Sequence, residues 1–445
     1  MGAEPSPVMS GGRTATLLRN LFGLALGKGG LYLSGLLIAR ALVEAGGIGA
    51  YGLWAPCAQL IAWVGLLDLG LGLALQNQAS HATTTEEQRQ VSAAAAAGLR
   101  LLLLIAVAMI TAAGVLALLH PDVLLWPFRA DLAPAARPDA LGVMFLAIIA
   151  LAVAVVAQIP MRLVAGLQGH GQLAIWQGGV ALVAVAAIPA SAVCGLSWLW
   201  GLAVAVLIPL GMPLVLGFVL LRRPAMSWAF PRGDGQGLRA VRSIIGSSLA
   251  LFASQVAAVL VFQTNILVVS RWCGPVAAAH LDLALRLIAL PLLFQGVALG
   301  ALWPALAQAH AQGDHSWIAL TYRRGLWITL GLAVALPVLA GGMPWLGPLV
   351  LGPEAVPSPI MSWGVAAFCA ASLWSSLHAQ CLNAIGCVHG AARLALLQAS
   401  INLPLVILSV AYFGPEWLGW ASACAAFMSS VPGLSLLWHR RSTNQ

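Results

Sequence analysis

Charge is what this sequence has least of. Only 8% of its 445 residues are Asp, Glu, Lys or Arg, against about a quarter in an ordinary soluble domain. Twenty-one basic and 13 acidic side chains cannot clothe a 46.0 kDa globule in water, so a soluble fold is excluded. Lysine occurs once, at Lys28. The signatures of nucleotide and hydrolytic chemistry are missing too. A Walker A loop ending at Gly27-Lys28 would need Gly at 22 and Ser or Thr at 29, where the chain has Phe22 and Gly29. No Gly-x-Ser-x-Gly elbow and no His-Glu-x-x-His helix occurs. Work driven by the chain's own ATP hydrolysis is therefore excluded, and nothing marks an enzyme. The seven cysteines form no Cys-x-x-Cys pair and read as small apolar packers. Cys381, Cys387 and His389 cluster in sequence but lack the fourth ligand of a structural zinc site, so neither metal nor cofactor is expected.

What fills the chain is apolar: 61% of residues are hydrophobic and the mean hydropathy is +0.93. The apolar residues fall in long runs, and about 20 residues carry an α-helix across a bilayer. Twelve such runs are expected, at 17–39, 49–76, 91–118, 139–161, 173–194, 197–221, 243–269, 276–302, 325–345, 359–383, 391–413 and 417–437. The expected fold is an all-α integral membrane protein with about twelve transmembrane helices. Short cytoplasmic loops collect Arg and Lys. With an even number of spans, fourteen of the 21 basic residues fall on the side of the two termini, while Arg40, Arg129, Arg137 and Arg271 fall on the other. Both termini are accordingly expected in the cytoplasm. The net charge of +8 needs no nucleic-acid partner to explain it.

The most polar stretch, 222–242, carries five Arg against one Asp and lies between the sixth and seventh spans, where a connector between two halves belongs. Two echoes support duplication. Arg40 closes the first span and Arg271 the seventh, at an offset of 231, and His170-Gly171 answers His389-Gly390 at an offset of 219. The expectation is a first bundle over 1–221, the connector at 222–242 and a second bundle over 243–445. Such pseudo-symmetric six-helix bundles commonly enclose a central cavity at the axis relating them.

Ionisable residues inside spans are costly in hydrocarbon and default to pathway positions. Lys28 falls near the middle of the first span, flanked by Gly27, Gly29 and Gly30, which admit a partner helix or a ligand. Asp68 and Arg100 lie at similar depths in neighbouring spans, and Asp282 precedes Arg286 by four residues, the favourable order for an intrahelical pair. Either couple reads as a structural ion pair or as part of the cavity. Three buried bases against two acids favour an anionic substrate over a cationic one. Gln263 and Asn265 add polar lining, and Arg40 and Arg271 mark a rim. His378, alone near the end of its span, reads as a packed side chain more readily than as a proton relay.

The run 39–80, with Arg40 closing the first span, Gly49-Ala50-Tyr51-Gly52 opening the second and Asp68-Leu69-Gly70-Leu71-Gly72 within it, resembles the start of Wzx-type oligosaccharide flippases. These belong to the multidrug/oligosaccharidyl-lipid/polysaccharide exporter superfamily. Residues 262–288 and 302–314 are similar to later stretches of the same family. Relatives often carry an acid where this chain has Asn265. The resemblance implies a flippase in the bacterial inner membrane. It would carry undecaprenyl-diphosphate-linked oligosaccharide from the cytoplasmic to the periplasmic leaflet, with membrane lipids and polysaccharide-assembly proteins as partners. The rival readings are a multidrug exporter or lipid II flippase of the same superfamily, and a membrane-embedded glycan polymerase.

Overall fold

A computed structural model describes residues 10–67, 70–82, 84–128, 132–167, 169–224, 226–231 and 252–442. The described residues are almost entirely helical. The helix Ser10–Ile61 is divided at Gly47 (φ 74°, ψ 177°) into α1 (10–46) and α2 (48–61), and α2 is continued by short helices at Val64–Leu67 and Leu71–His81. The other spans of the first half are α3 (Thr85–Leu119), α4 (Arg137–Gly166), α5 (His170–Ala184, continued by Ala187–Val193) and α6 (Trp198–Leu221). The second half holds α7 (Phe252–Cys273), α8 (Pro275–Ile288, then bent by 50° into Leu290–Gly300), α9 (His315–Leu351), α10 (Pro359–Ala384), α11 (Val388–Phe413) and α12 (Pro415–Arg441).

Among the described residues ten stretches are long and apolar enough to cross a membrane, eleven when bent α8 is taken as one. The first of them, Phe22–Leu67, is two spans and not one. A straight helix would put Tyr32 and Tyr51 about 28 Å apart, yet both touch α8 within one turn of each other, at Arg286 and Asp282. The chain therefore doubles back at Gly47, which brings the count to the expected twelve. Gly274 (φ 91°) makes the corresponding turn between α7 and α8. A positive φ is adopted at little cost only without a Cβ, so glycine stands at equivalent corners of the two halves.

Several helices begin earlier than their hydrophobic runs. The α3 helix starts at Thr85, because Thr84 accepts a hydrogen bond from the Glu87 amide while the Glu87 carboxylate accepts one from the Thr84 amide. At the head of α9, Asp314 accepts bonds from the Trp317 amide and the Ser316 hydroxyl, which hold its carboxyl below its ordinary pKa. Hydropathy registers only the part of a helix that meets lipid, and these caps start helices in water. The connector also begins differently. The segment 226–231 folds back on the first half, with Ala229 in its core, Phe230 against Phe218 and the Ser92 hydroxyl donating to the Phe230 carbonyl at 2.5 Å. The rest of the expected connector lies outside the described residues.

The packing is asymmetric from end to end. At the end away from the termini, one core draws on both halves: Leu42, Tyr51, Phe128, Val143 and Leu202 from the first, Val269, Leu281, Met343 and Val365 from the second. Toward the termini the cores are separate. Leu75, Ala94, Val155 and Leu163 pack within the first half, and Leu306, Ile318, Leu382 and Trp438 within the second. Among the described residues the apolar core is thus shared between the halves at the far end and divided between them toward the connector end. The junction is tight enough that a Cβ on Gly52 would lie 2.1 Å from the Pro275 carbonyl oxygen. Gly52→Ala should therefore destabilise the protein by about 1–3 kcal/mol through overpacking. Gly29→Ala, where nothing lies within 4 Å, should be neutral or mildly stabilising. Thermal unfolding in detergent distinguishes the two, and equal melting temperatures would refute the close junction.

Candidate functional site

Where the halves meet, α8 places a carboxylate in the seam. Asp282 is 2% exposed and accepts hydrogen bonds from Arg286 Nε at 2.6 Å, from Gln59 Nε2 at 3.3 Å and from the Tyr51 hydroxyl. The four-residue spacing read from sequence thus forms an intrahelical ion pair, with two further donors from α2 of the opposite half. Arg286 is fixed from α1 as well: the Tyr32 hydroxyl donates to its backbone carbonyl, and its Nη1 occupies the space a Cβ on Gly35 would need, 2.6 Å away.

Lys28, Tyr32 and Gly35 are spaced i, i+4, i+7 and so share one face of α1. Tyr32 and Gly35 meet Arg286, so half-buried Lys28 lies on the face that looks toward the second half, one turn nearer the opening. Among the described residues no ion pair or hydrogen bond to Lys28 is present. The neighbouring glycines serve helix packing. Gly23, Gly27 and Gly30 abut Gly171, Ala174 and Gly178 of α5, where a Cβ would collide with backbone at 2.8, 2.3 and 3.1 Å. Only Gly29 faces open space. A seam of small residues like this fixes α1 to its own half.

The remaining expected site residues are distributed differently. Arg100 is exposed on the side of α3 opposite its buried residues Ala95, Gly98, Leu102 and Ala106, beside exposed Leu104 and Val107. It points away from the seam and is not part of the constellation. Asp68, and with it the pairing to Arg100, lies outside the described residues. Gln263 ends a π-helical turn in α7, Val259–Gln263, and is half-buried. Asn265 is 1% exposed, donates to the Val261 carbonyl at 3.0 Å and is packed inside the protein, so it does not line an open wall. His378 is 1% exposed and satisfied at both nitrogens: Nδ1–H donates to the Trp374 carbonyl at 2.9 Å, leaving Nε2 to accept from the Tyr322 hydroxyl at 2.9 Å. This is the packed histidine. No group of three His, Cys, Asp or Glu is placed to hold a metal among the described residues.

The two rim arginines behave as a symmetric pair. Arg40 at the end of α1, besides bonding Glu44 at 2.7 Å, donates to the Leu349 carbonyl at the end of α9 at 2.9 Å. Arg271 at the end of α7 donates to the Phe128 carbonyl beyond α3 at 3.5 Å. Each reaches into the other half, so the sequence echo has a structural counterpart.

Sequence reasoning missed Tyr32, Gly35, Tyr51 and Gln59. The chain has only four tyrosines, and two inside adjoining spans were the available signal. Tyr51→Phe removes a hydrogen bond to a charged acceptor, worth about 1.5–3 kcal/mol. Asp282→Asn leaves Arg286 without its counter-charge, at about 3–5 kcal/mol. Because both act on one carboxylate, the double variant should lose clearly less than the sum in unfolding measurements. Strict additivity would separate Tyr51 from Asp282.

Comparison with known proteins agrees with this architecture. The Vibrio cholerae MATE transporter VcmN, in a mutant form, aligns with a TM-score of 0.67 at 15% identity, covering 97% of each chain. A MATE protein in complex with MaL6 aligns at 0.66 and 13% identity over 96% of each. A MOP superfamily transporter from Pyrococcus furiosus aligns at 0.63 and 12% identity, over 96% of this chain and 95% of that one. At such identities the likeness concerns the fold. No curated protein sequence matches the chain. The family described as "Polysaccharide biosynthesis protein" matches residues 17–310. That is more than half of the sequence, and the chain belongs to this family.

Proposed function

We propose that the protein is a flippase that moves an undecaprenyl-diphosphate-linked oligosaccharide from the cytoplasmic to the periplasmic leaflet of a bacterial inner membrane. The two halves exchange access around the seam between them. Family and fold support a membrane transporter of the polysaccharide-exporting kind. The carrying observation is the charge at the apex of the opening. Lys28 lies one helical turn from Tyr32, whose hydroxyl meets the Arg286 carbonyl, and the nearby carboxylate, Asp282, is already paired. Among the described residues the apex therefore holds one excess positive charge, which suits a diphosphate and repels a cationic drug. The Pyrococcus furiosus relative is described as having a reversed binding-pocket polarity that suggests a different function; charge sign is taken here as the same discriminator.

Arginine placement supports a cytoplasmic connector and cytoplasmic termini. In that orientation the joined far end is periplasmic and the cavity receives substrate from the cytoplasm. Reporter fusions after Arg223 and Ser442 should both read cytoplasmic, and a periplasmic signal at either would overturn the orientation.

Lys28→Ala should abolish translocation while the protein remains folded, and Lys28→Glu should be at least as damaging. Lys28→Arg should keep part of the activity, since charge survives although the wider guanidinium is less easily seated. The measurement is accumulation of polyprenyl-linked oligosaccharide in the cytoplasmic leaflet at matched protein level. Normal transport by both the Ala and Glu variants would remove the anionic-substrate reading.

A further inference from the structure

At the far end, where Arg271 makes its tie to Phe128, the structure contains a pocket of about 280 Å³ whose wall comes from both halves. Asp122, Trp126 and Phe128 supply one side from the segment after α3, Arg137 opens α4, and Arg271 arrives from the end of α7. The volume is just under the roughly 300 Å³ at which drug-sized sites begin, which is room for a single sugar ring or headgroup and not for an oligosaccharide.

Among the described lining residues are two guanidinium groups and one carboxylate, an excess of one positive charge. Neither guanidinium is saturated. The Arg137 to Asp122 contact is 3.7 Å, with both side chains largely exposed, far beyond the about 2.7–2.9 Å of a well-formed charge-assisted bond. Arg271 makes its bond to the Phe128 carbonyl at 3.5 Å. A guanidinium presents five N–H donors in a planar fork matched to carboxylate and phosphate oxygens, so most donors at this site have no partner among the described residues. Beside them stands the Trp126 indole, 60% exposed, a flat apolar platform next to a cationic corner.

We propose that this pocket is a binding site for a monoanionic group, a carboxylate or phosphate carried on a sugar ring or a lipid headgroup, held by Arg137 and Arg271 with the ring or headgroup against Trp126. Because one arginine belongs to each half, the ligand bonds both halves at once and bridges the closed far end. The site is separate from the Lys28 apex and its occupancy does not depend on the substrate assigned there.

Isothermal titration of the full chain in neutral detergent tests this, with glucuronate and inorganic phosphate as probes and glucose as the neutral control. Saturable binding is expected for at least one anion and at least tenfold weaker binding for glucose. Arg137→Gln and Arg271→Gln should each weaken anion binding at least tenfold, whereas Lys28→Ala should keep it. Should a Gln variant fail to purify, the Lys replacement retains charge without the planar fork and should still weaken binding severalfold. Repeating the titration in nanodiscs identifies the source. Glucuronate binding seen in phosphatidylcholine but lost in phosphatidylglycerol assigns the site to a lipid headgroup, and equal binding in both assigns it to a soluble acidic group. Absence of saturable binding, or binding that survives both arginine replacements, overturns the pocket. Binding lost in Lys28→Ala alone also overturns it, while leaving the central anion site standing.

Discussion

A carboxylate cannot be taken out of water unless something compensates it, and the joint between the halves is organised around that requirement. Asp282 receives its counter-charge from Arg286 on its own helix and two neutral donors, Tyr51 and Gln59, from the opposite half. This division of labour matters for movement. Under the proposed exchange of access the ion pair would stay whole on α8, and only the neutral donors would change partners. No isolated charge is left in a low-dielectric seam. A joint arranged the other way, with the pair split between halves, would cost several kcal/mol to open.

The surrounding packing assigns the two cations to different halves. The glycine seam between α1 and α5 ties α1 to the first half, so Lys28 moves with it. Arg286 moves with the second half, yet its carbonyl and guanidinium are seated against Tyr32 and Gly35 of α1.

Much of this was legible in sequence because membrane insertion imposes simple rules. Apolar runs gave twelve spans, and the four-residue spacing of Asp282 and Arg286 foretold their pairing. What stayed hidden depends on contacts between distant segments. Nothing local tells Tyr51 that its partner lies on α8, or Gly35 that it must accommodate a guanidinium. Arg100 illustrates the converse problem. In a soluble helix the polar side reveals its orientation, but both faces of α3 are apolar, and a lone Arg does not indicate whether lipid or protein surrounds it. The glycines beside Lys28 were ambiguous for a related reason, since a close-packed helix and a bound ligand make the same demand for small residues.

The rim arginines carry a further consequence. Across the joint, Arg40 and Arg271 bond main-chain carbonyls of the other half, at Leu349 and Phe128. Every residue type supplies a carbonyl, so the acceptors are free to mutate without loss of the contact. Substitutions at the two ends of such a tie have no reason to be correlated during evolution, and methods that infer proximity from paired changes would pass over both. The ties are specified by one residue each and by the path of the opposing backbone, which makes them robust to drift in the partner and vulnerable only to a shift of the helix that carries it.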